Sequence, residues 1–317
     1  MPLPSREEIA SAREIVRAQM PPTPTIRWPL LEQRLGTTVF VKHENHTALG
    51  AFKLRGGAVY LHEQLKREPK LHGVISATRG NHGQSIALAA AQHGLPCTIV
   101  VPHGNSVEKN AAMRALGATL IEHGDDFQQS REYAAGLAAE RGLHMVPSYH
   151  RDLVRGVASY WMEFFEAVAG DPPAVVFVPI GMGSGVIACA CARAASGASQ
   201  TRIVGVVSAH ATAYLDSVRA GRVVEAPVTT KLADGMACRV PDADALSLIR
   251  REVDDVIAVT DDEVAQAMRA LFADTHNVAE GAGAAALAAA LQQRERWAGR
   301  SVGLALSGGN VDAARSR

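Results

Sequence analysis

The sequence has few cysteines, no excess of charge of either sign and no long apolar run, and each absence excludes a class of protein. The chain has 32 basic and 32 acidic side chains, so no basic face is predicted for nucleic acid or an anionic membrane. The four cysteines form no CxxC pair, and we interpret them as small buried hydrophobes in a reducing compartment. No apolar stretch reaches the roughly 18 residues of a membrane span, and no signal peptide is predicted. We therefore expect a cytoplasmic protein without nucleic-acid or membrane partners.

Several catalytic signatures are also missing. The twelve histidines show neither HxxxH nor HExxH spacing, so the sequence predicts no metal site. No nucleophile elbow indicates a serine hydrolase. No glycine loop ends in the Gly-Lys-Ser/Thr of a nucleotide-triphosphate site. The chemistry has to be sought in what the sequence does contain.

Short apolar strands alternate with helices along most of the chain. Because the strands show little polar alternation, they predict an α/β fold with parallel sheets covered by helices on both faces. Residues 281–291 are almost entirely alanine and leucine, so we expect a buried helix there. Residues 221–241 show no periodicity and are expected to form loops. The predicted strands are residues 38–42, 73–76, 97–101, 118–121, 174–180, 202–207, 256–259 and 301–306.

One lysine stands where a turn of small residues gives way to a helix. Residues 47–57 read TALGAFKLRGG, and an apolar stripe of helical period runs from Leu54 to Leu65. Lys53 would therefore begin a helix, where the helix dipole disfavours a second positive charge. A neutral lysine amine can attack a carbonyl to form a Schiff base. An exposed lysine without a chemical role fits the same pattern.

Three loops that follow predicted strands could hold an anionic ligand. Residues 181–185 (GMGSG) precede a helix, so their N–H groups could bind phosphate. The next strand ends in Ser208 without the acid of a dinucleotide site, which leaves a smaller phosphate ester or a glycine turn without a ligand. Residues 76–84 (SATRGNHGQ) offer the hydroxyl, amide, guanidinium and N–H groups of a carboxylate receptor. Residues 307–310 (SGGN) end the last strand, where ligands of parallel sheets collect.

Taken together and in this order, the lysine stretch and the three loops resemble the fold-type II pyridoxal-phosphate enzymes, and most closely the threonine/serine dehydratase and serine racemase branch. The resemblance covers nearly the whole chain. It implies a two-lobed fold similar to the tryptophan synthase β subunit, with twisted parallel sheets and pyridoxal 5'-phosphate in the cleft. We expect a large cofactor-binding domain of residues 1–47 and 151–317, a small mobile domain of residues 48–150, and a homodimer.

The resemblance assigns roles to the lysine stretch and the second loop. Residues 51–56 (AFKLRG) resemble the family's Ser-Phe-Lys-x-Arg-Gly, which makes Lys53 the Schiff-base lysine and places Phe52 beside the cofactor ring. Residues 80–83 (GNHG) match the family's Gly-Asn-His loop. The implied contacts are Asn81 with the ring hydroxyl, and Thr78, Asn81 and His82 with the substrate carboxylate.

The other two loops are implied to hold the remaining parts of the cofactor. Residues 181–185 stand where the family has its tetraglycine phosphate loop, and Ser307 stands where a hydroxyl meets the pyridine nitrogen. Ser208 and Tyr214 stand where serine racemase has metal-binding carboxylates, so we expect no cation there. The implied phosphate loop consists of Gly181, Met182, Gly183, Ser184 and Gly185.

Arg79 departs from the family pattern. It stands just before the Gly-Asn-His loop, where the racemase has its second acid/base serine. Since an arginine is a poor proton donor at neutral pH, we expect little racemase activity. Arg79 could instead bind the substrate's α-carboxylate, bind a distal carboxylate of a dicarboxylic substrate, or turn outward and pair with an acid of the other lobe.

The implied activity is a dehydratase, an ammonia-lyase acting on a small β-hydroxy amino acid such as L-threonine or L-serine. Lys53, released from the cofactor by the substrate amine, would remove the α-proton. The β-hydroxyl would then leave, giving a 2-oxo acid and ammonia. The alternatives are a 3-hydroxyaspartate dehydratase, another β-eliminating or racemising member of the family, and a non-catalytic amino-acid-binding protein. The retained Lys53 argues against the last of these.

Overall fold

The computed structural model describes residues 2–313. This part of the chain forms ten strands and twelve α-helices, arranged as two α/β lobes. The strands are β1 (Thr25–Arg27), β2 (Val39–His43), β3 (Val74–Ala77), β4 (Cys97–Val101), β5 (Thr119–Glu122), β6 (His144–Met145), β7 (Val175–Pro179), β8 (Arg202–Ser208), β9 (Asp255–Val259) and β10 (Val302–Leu306). The helices are α1 (Arg6–Arg17), α2 (Pro29–Leu35), α3 (Lys53–Arg67), α4 (Asn81–Gln92), α5 (Val107–Ala115), α6 (Phe127–Arg141), α7 (Arg151–Ala167), α8 (Ser184–Ala195), α9 (Ala213–Ala220), α10 (Ala243–Glu252), α11 (Asp261–Thr275) and α12 (Gly281–Gln292).

Each lobe is built on its own sheet. The larger sheet has six strands in the order β1-β2-β10-β7-β8-β9, and the smaller has four in the order β5-β4-β3-β6. All neighbouring strands run parallel except β1, which pairs with β2 in the antiparallel direction. The predicted α/β fold with parallel sheets is therefore confirmed. The sequence analysis missed the short antiparallel edge strand β1 because only three residues form it, next to a proline-rich segment.

The larger sheet is covered on both faces. Helix α12 packs on one face, and its residues 281–290 are all buried, which confirms the predicted buried helix. Helices α7, α8 and α10 pack on the other face around Val176 and Val178. Parallel strands covered in this way have no polar face, which explains their nearly uninterrupted apolar sequences. None of the helices in the described residues is long and apolar enough to span a bilayer.

The irregular stretch of the sequence is irregular in the structure as well. Residues 221–241 contain one short 3₁₀ turn, Asp234–Met236, and otherwise form loops. The sequence analysis did not identify α2, α9, α10 or the two-residue strand β6. These helices have only seven to ten residues, and such short elements are stabilised more by packing on neighbours than by their own propensity.

A buried ionic cluster lies beneath the start of α3. Arg55 Nε donates to Glu44 Oε2 at 2.8 Å, and its Nη1 donates to Glu163 Oε1 at 2.9 Å. Lys42 Nζ donates to Glu163 Oε2 at 2.7 Å. All four side chains are buried, so each charge depends on its partners rather than on water. The cluster fixes the first turn of α3 to β2 and to α7.

Candidate active site

A cavity of about 130 Å³ lies where the loops after β3, β7 and β10 meet the start of α3. These are the carboxyl ends of parallel strands, where ligands of open α/β sheets bind. The structure brings every site residue predicted from the sequence into the lining of this one cavity. They are Phe52, Lys53, Thr78, Arg79, Asn81, His82, Gly181, Met182, Gly183, Ser184, Gly185 and Ser307.

Lys53 is the first residue of α3, as the sequence pattern predicted. Its Nζ donates to Ser184 Oγ at 3.2 Å and lies 4.8 Å from the centre of the Phe52 ring. Burial lowers the pKa of Lys53 to about 8, although the charge of Glu280 opposes the shift. Burial has this effect because it disfavours the charged ammonium form. The neutral amine is therefore much more populated near neutral pH than in a lysine of ordinary pKa.

The loop that faces Lys53 has the donors for a phosphate group. Gly183 has a φ of +95° and stands at the N-cap of α8, a conformation that favours glycine. A Cβ on Gly181 would lie only 2.3 Å from the Gly235 carbonyl oxygen. Within residues 2–313 no side chain caps α8, so its first N–H groups are available to a ligand. Backbone donors at a helix N-terminus fit a phosphate monoester.

The second loop presents donors of the kind that bind a carboxylate. Thr78 Oγ1 accepts hydrogen bonds from Gly80 N at 2.9 Å and Gly83 N at 3.3 Å. The N–H groups of Asn81 and His82 come first in α4, where a helix provides no acceptors of its own. Burial lowers the pKa of His82 to about 3, so the ring is neutral. Its Nε2 is buried without a hydrogen-bond partner in the described part of the chain.

The third loop meets the second loop directly. Asn310 Nδ2 donates to Asn81 Oδ1 at 2.8 Å and to the Leu49 carbonyl at 2.7 Å. Ser307 is buried, and its hydroxyl donates to the Ala282 carbonyl over a long 3.4 Å. A hydrogen bond of that length is weak, so the Ser307 hydroxyl can turn to a better acceptor in the cavity.

The sequence analysis missed an ionic cluster that joins the two lobes at the cavity. Lys109 of α5 donates to Asp234 Oδ2 at 2.8 Å and to Glu280 Oε2 at 3.0 Å. Glu280 Oε1 also accepts from Asn81 Nδ2 at 2.6 Å. Burial raises the pKa of Glu280, and Lys109 opposes that shift. The lone acid before the alanine-rich helix was the only sequence signal, since Asp234 lies in an irregular segment and Lys109 in the first turn of an ordinary helix, α5.

Ser208 and Tyr214, the positions at which no cation was expected, form hydrogen bonds within the protein. Ser208 Oγ accepts a hydrogen bond from His210 N at 3.1 Å. The Tyr214 hydroxyl donates to the Met182 carbonyl at 3.0 Å and so supports the loop of residues 181–185. Among residues 2–313, no three His, Cys, Asp or Glu side chains are grouped closely enough to hold a metal ion.

An interlobe cavity in which a lysine of lowered pKa faces a glycine-rich helix start is the arrangement expected of a fold-type II pyridoxal-phosphate enzyme. The comparisons with known proteins agree. Residues 16–308 match the family described as Pyridoxal-phosphate dependent enzyme. The chain belongs to this family, and the predicted resemblance is confirmed.

Individual relatives cover almost the whole chain. An L-threonine ammonia-lyase of Geobacter sulfurreducens is 34% identical over 96% of this chain and 75% of its own length. An L-threo-3-hydroxyaspartate ammonia-lyase of Saccharomyces cerevisiae is 33% identical over 99% of this chain and 96% of its own. The solved structure of a T.th. threonine deaminase has a TM-score of 0.89 at 29% identity, covering 98% of this chain and 99% of that one. The maize serine racemase structure also has a TM-score of 0.89, at 26% identity over 98% of this chain and 95% of that one.

Pyridoxal phosphate is the cofactor of this family. It supplies an aldehyde that reacts with amines and a ring that spreads the negative charge of a carbanion. The residues of the cavity fit both ends of this molecule. Lys53 offers the amine for the aldehyde, and the uncapped start of α8 offers N–H donors for the phosphate.

The lowered pKa of Lys53 predicts how fast the cofactor-free protein takes up pyridoxal phosphate. Only the neutral amine reacts, and with a pKa of about 8 its share rises from roughly one tenth at pH 7 to nine tenths at pH 9. We expect the rate of covalent loading to rise by roughly tenfold over this interval and then to level off. Absorbance changes after rapid mixing would measure it. A rate that still rose tenfold per pH unit beyond pH 9 would indicate an unshifted lysine.

Proposed function

We propose that this protein is an ammonia-lyase that converts a small β-hydroxy amino acid, L-threonine or L-serine, to a 2-oxo acid and ammonia. The observation that carries the proposal is the position of the Lys53 amine, 3.2 Å from Ser184 at the start of α8 and in the same cavity as the start of α4. One helix start suits the cofactor phosphate and the other suits the substrate carboxylate. The names of the relatives support the reaction type.

In the proposed site, Lys53 holds the cofactor and later serves as the base. Once free of the cofactor, the Lys53 amine would lie beside Ser184 Oγ and would take the α-proton of the substrate. Phe52 would flank the cofactor ring, Asn81 would hold its hydroxyl and Ser307 would hold its nitrogen. The N–H groups of residues 181–185 would bind the phosphate, namely those of Gly181, Met182, Gly183, Ser184 and Gly185.

The substrate carboxylate is proposed to bind at the start of α4. The N–H groups of Asn81 and His82 and the Thr78 hydroxyl would hold it, and the positive end of the helix favours a negative group. This places the α-carbon toward Lys53. Loss of the α-proton and the β-hydroxide removes one water, and the enamine product then takes up one water and releases ammonia.

A screen for 2-oxo acids tests the proposal. The purified holoenzyme is incubated with L-serine, L-threonine, 3-hydroxyaspartate and their D-forms, and product is trapped as the hydrazone. We expect 2-oxo acid and ammonia in equal amounts from at least one β-hydroxy amino acid. L-Alanine, which has no β-leaving group, is the control. Binding of all of these amino acids without release of product would favour the non-catalytic alternative.

Racemisation is expected to be slow relative to elimination. It requires a second acid to return a proton to the far face of the α-carbon, and Arg79 stands where the racemase has its serine. Because a guanidinium stays protonated and gives up its proton poorly, we expect D-serine to form from L-serine at below roughly one hundredth of the elimination rate. Chiral chromatography of the reaction measures it. D-serine formed as fast as pyruvate would refute this role of Arg79.

Residues 48–150 are proposed to move as a unit and close on the substrate. Ion pairs of the kind that a closed cleft needs join the two lobes. Lys109 pairs with Asp234 and Glu280, and Arg239 Nη1 donates to Asp126 Oδ2 at 2.7 Å. Closure expels water from the cavity. We expect hydrogen exchange at residues 76–84 to slow severalfold when a substrate analogue binds, while α12 stays unchanged. Equal exchange in both states would contradict the movement.

A further inference from the structure

A second cavity, of about 260 Å³, adjoins the active-site cavity. It lies between residues 125–131 of the small-sheet lobe and residues 228–240 of the other lobe. The two cavities share part of their lining, so a ligand in the first can extend into the second. The shared residues are Arg79, Phe127, Met182, Asp234, Ala237 and Cys238.

Arginines from both lobes line this second cavity. They are Arg79, Arg131 and Arg239. The Nε atoms of Arg79 and Arg239 are buried and have no hydrogen-bond partner among the described residues. Buried polar groups in native proteins nearly always have a partner. The Nε atoms of Arg13 and Arg155, outside both cavities, also lack a partner in this part of the chain, but those guanidinium groups pair with Glu166 and Asp152, and Arg239 pairs with Asp126. Of these four arginines only Arg79 has no ion pair within residues 2–313, so its guanidinium is the group that lacks an acceptor.

Two of the three acids that line the second cavity are already engaged by other cations. Asp126 accepts from Arg239 Nη1 at 2.7 Å, and Asp234 accepts from Lys109 Nζ at 2.8 Å. Asp125 is exposed. In the part of the chain that the structure describes, Arg79 has no ion pair with any carboxylate. The alternative in which Arg79 pairs with an acid of the other lobe is therefore wrong for this structure.

Arg79 is also set apart from the other residues expected to contact the substrate. Thr78, Asn81 and His82 line only the first cavity, whereas Arg79 lines both. The start of α4 already provides the receptor for the α-carboxylate. The guanidinium is thus left for a different negative group, farther along the substrate.

We propose that the substrate carries a second carboxylate on its side chain and that Arg79 binds this group where the two cavities meet. The inference rests on the ammonia-lyase reaction of the proposed function, and it names a dicarboxylic β-hydroxy amino acid, in place of L-threonine or L-serine, as the preferred substrate. Arg79 provides a planar pair of N–H donors that matches a carboxylate. The exposed Arg131 also lines the second cavity, whereas the charge of Arg239 is balanced by Asp126.

Binding of two four-carbon acids tests the proposal without turnover. Succinate has two carboxylates and butyrate has one, and neither has an amine. Calorimetric titration of the holoenzyme is expected to show succinate binding roughly 10- to 100-fold more tightly, the factor that a charge-assisted hydrogen-bond pair contributes. The Arg79→Met variant is expected to lose this preference and to keep its affinity for butyrate within about twofold.

Two further variants make the binding test specific. Arg79→Lys keeps the charge but not the planar pair of donors, so its preference for succinate should be intermediate. Arg114→Met removes an exposed arginine outside both cavities and should change neither affinity. Equal binding of both acids by the unmodified protein would overturn the proposal. So would a similar loss for both acids in Arg79→Met, which would place Arg79 on the α-carboxylate.

Turnover separates this inference from the proposed function. We expect kcat/KM for 3-hydroxyaspartate to exceed that for L-threonine, and Arg79→Met to lower the first through KM by roughly 10- to 100-fold while L-threonine changes little. If no β-hydroxy amino acid yields a 2-oxo acid, the proposed function fails, and the succinate titration still decides whether the second anion site exists. An equal loss on both substrates would refute the inference alone.

Discussion

Replacing Lys53 with alanine is expected to abolish the covalent cofactor link and to lower kcat by roughly 10³-fold or more. The variant loses both the amine that holds the aldehyde and the base that removes the α-proton, and a positioned base alone contributes about 10²- to 10⁴-fold. The fold should survive, because Lys53 Nζ makes a single hydrogen bond of 3.2 Å, to Ser184. The measurement is 2-oxo acid release together with the near-visible absorbance of the purified protein.

The matched control is Lys66→Ala on the same helix. Lys66 is exposed and pairs with Glu63 at 3.3 Å on the helix surface, so its removal should leave activity and cofactor content unchanged. Circular dichroism of both variants confirms that they fold. Substantial activity in Lys53→Ala would show that the assignment of the lysine is wrong.

Replacing Arg55 with methionine is expected to lower the free energy of unfolding by about 3–5 kcal/mol. Arg55 is fully buried, and its guanidinium bonds both Glu44 and Glu163. Burial alone would lower the pKa of Arg55, yet these two carboxylates outweigh it and the pKa is raised. Without the guanidinium, Lys42 remains as the one cation for two buried carboxylates, and an uncompensated buried charge is costly. Urea denaturation of the cofactor-free protein measures the change.

Arg67→Met provides the comparison for this stability change. Arg67 lies at the last turn of the same helix and pairs with Asp152 at 2.8 Å, but its side chain is 48% exposed. A pair of this kind contributes about 0–1 kcal/mol. If Arg55→Met proved no less stable than Arg67→Met, the buried cluster would not be what fixes the start of α3.

The fold could be predicted from the sequence wherever hydrophobic periodicity and composition indicate the same kind of element. The βα repeats between residues 73 and 141 show a clear change between strand and helix patterns, and the structure has β3 to α6 there. The start of α1 carries a capping box of Ser5 and Glu8, a pattern that the sequence alone indicates. The edge strand β1 and the short helices α9 and α10 could not be predicted, because their stability comes from neighbours distant in sequence.

The residues that line the cavity could be predicted only where they belong to a local sequence motif. Lys53 and the glycine loop leave a sequence signal because a helix start and a tight turn need particular residues nearby. The cluster of Lys109, Asp234 and Glu280 leaves almost none, since its members come from three segments that are distant in sequence. Arg79 could be recognised in the sequence as an unusual residue at its position, but only the two adjoining cavities indicate which group its guanidinium would bind.

The most direct test of this assignment is to identify the lysine that holds the cofactor. The purified holoenzyme is treated with borohydride, which makes the link permanent, and the digested protein is mapped by mass spectrometry. We predict a single pyridoxyl group, on Lys53, and loss of the near-visible absorbance on reduction. A cofactor found on another lysine, or no covalent cofactor after loading with pyridoxal phosphate, would contradict the site derived from the sequence and the structure.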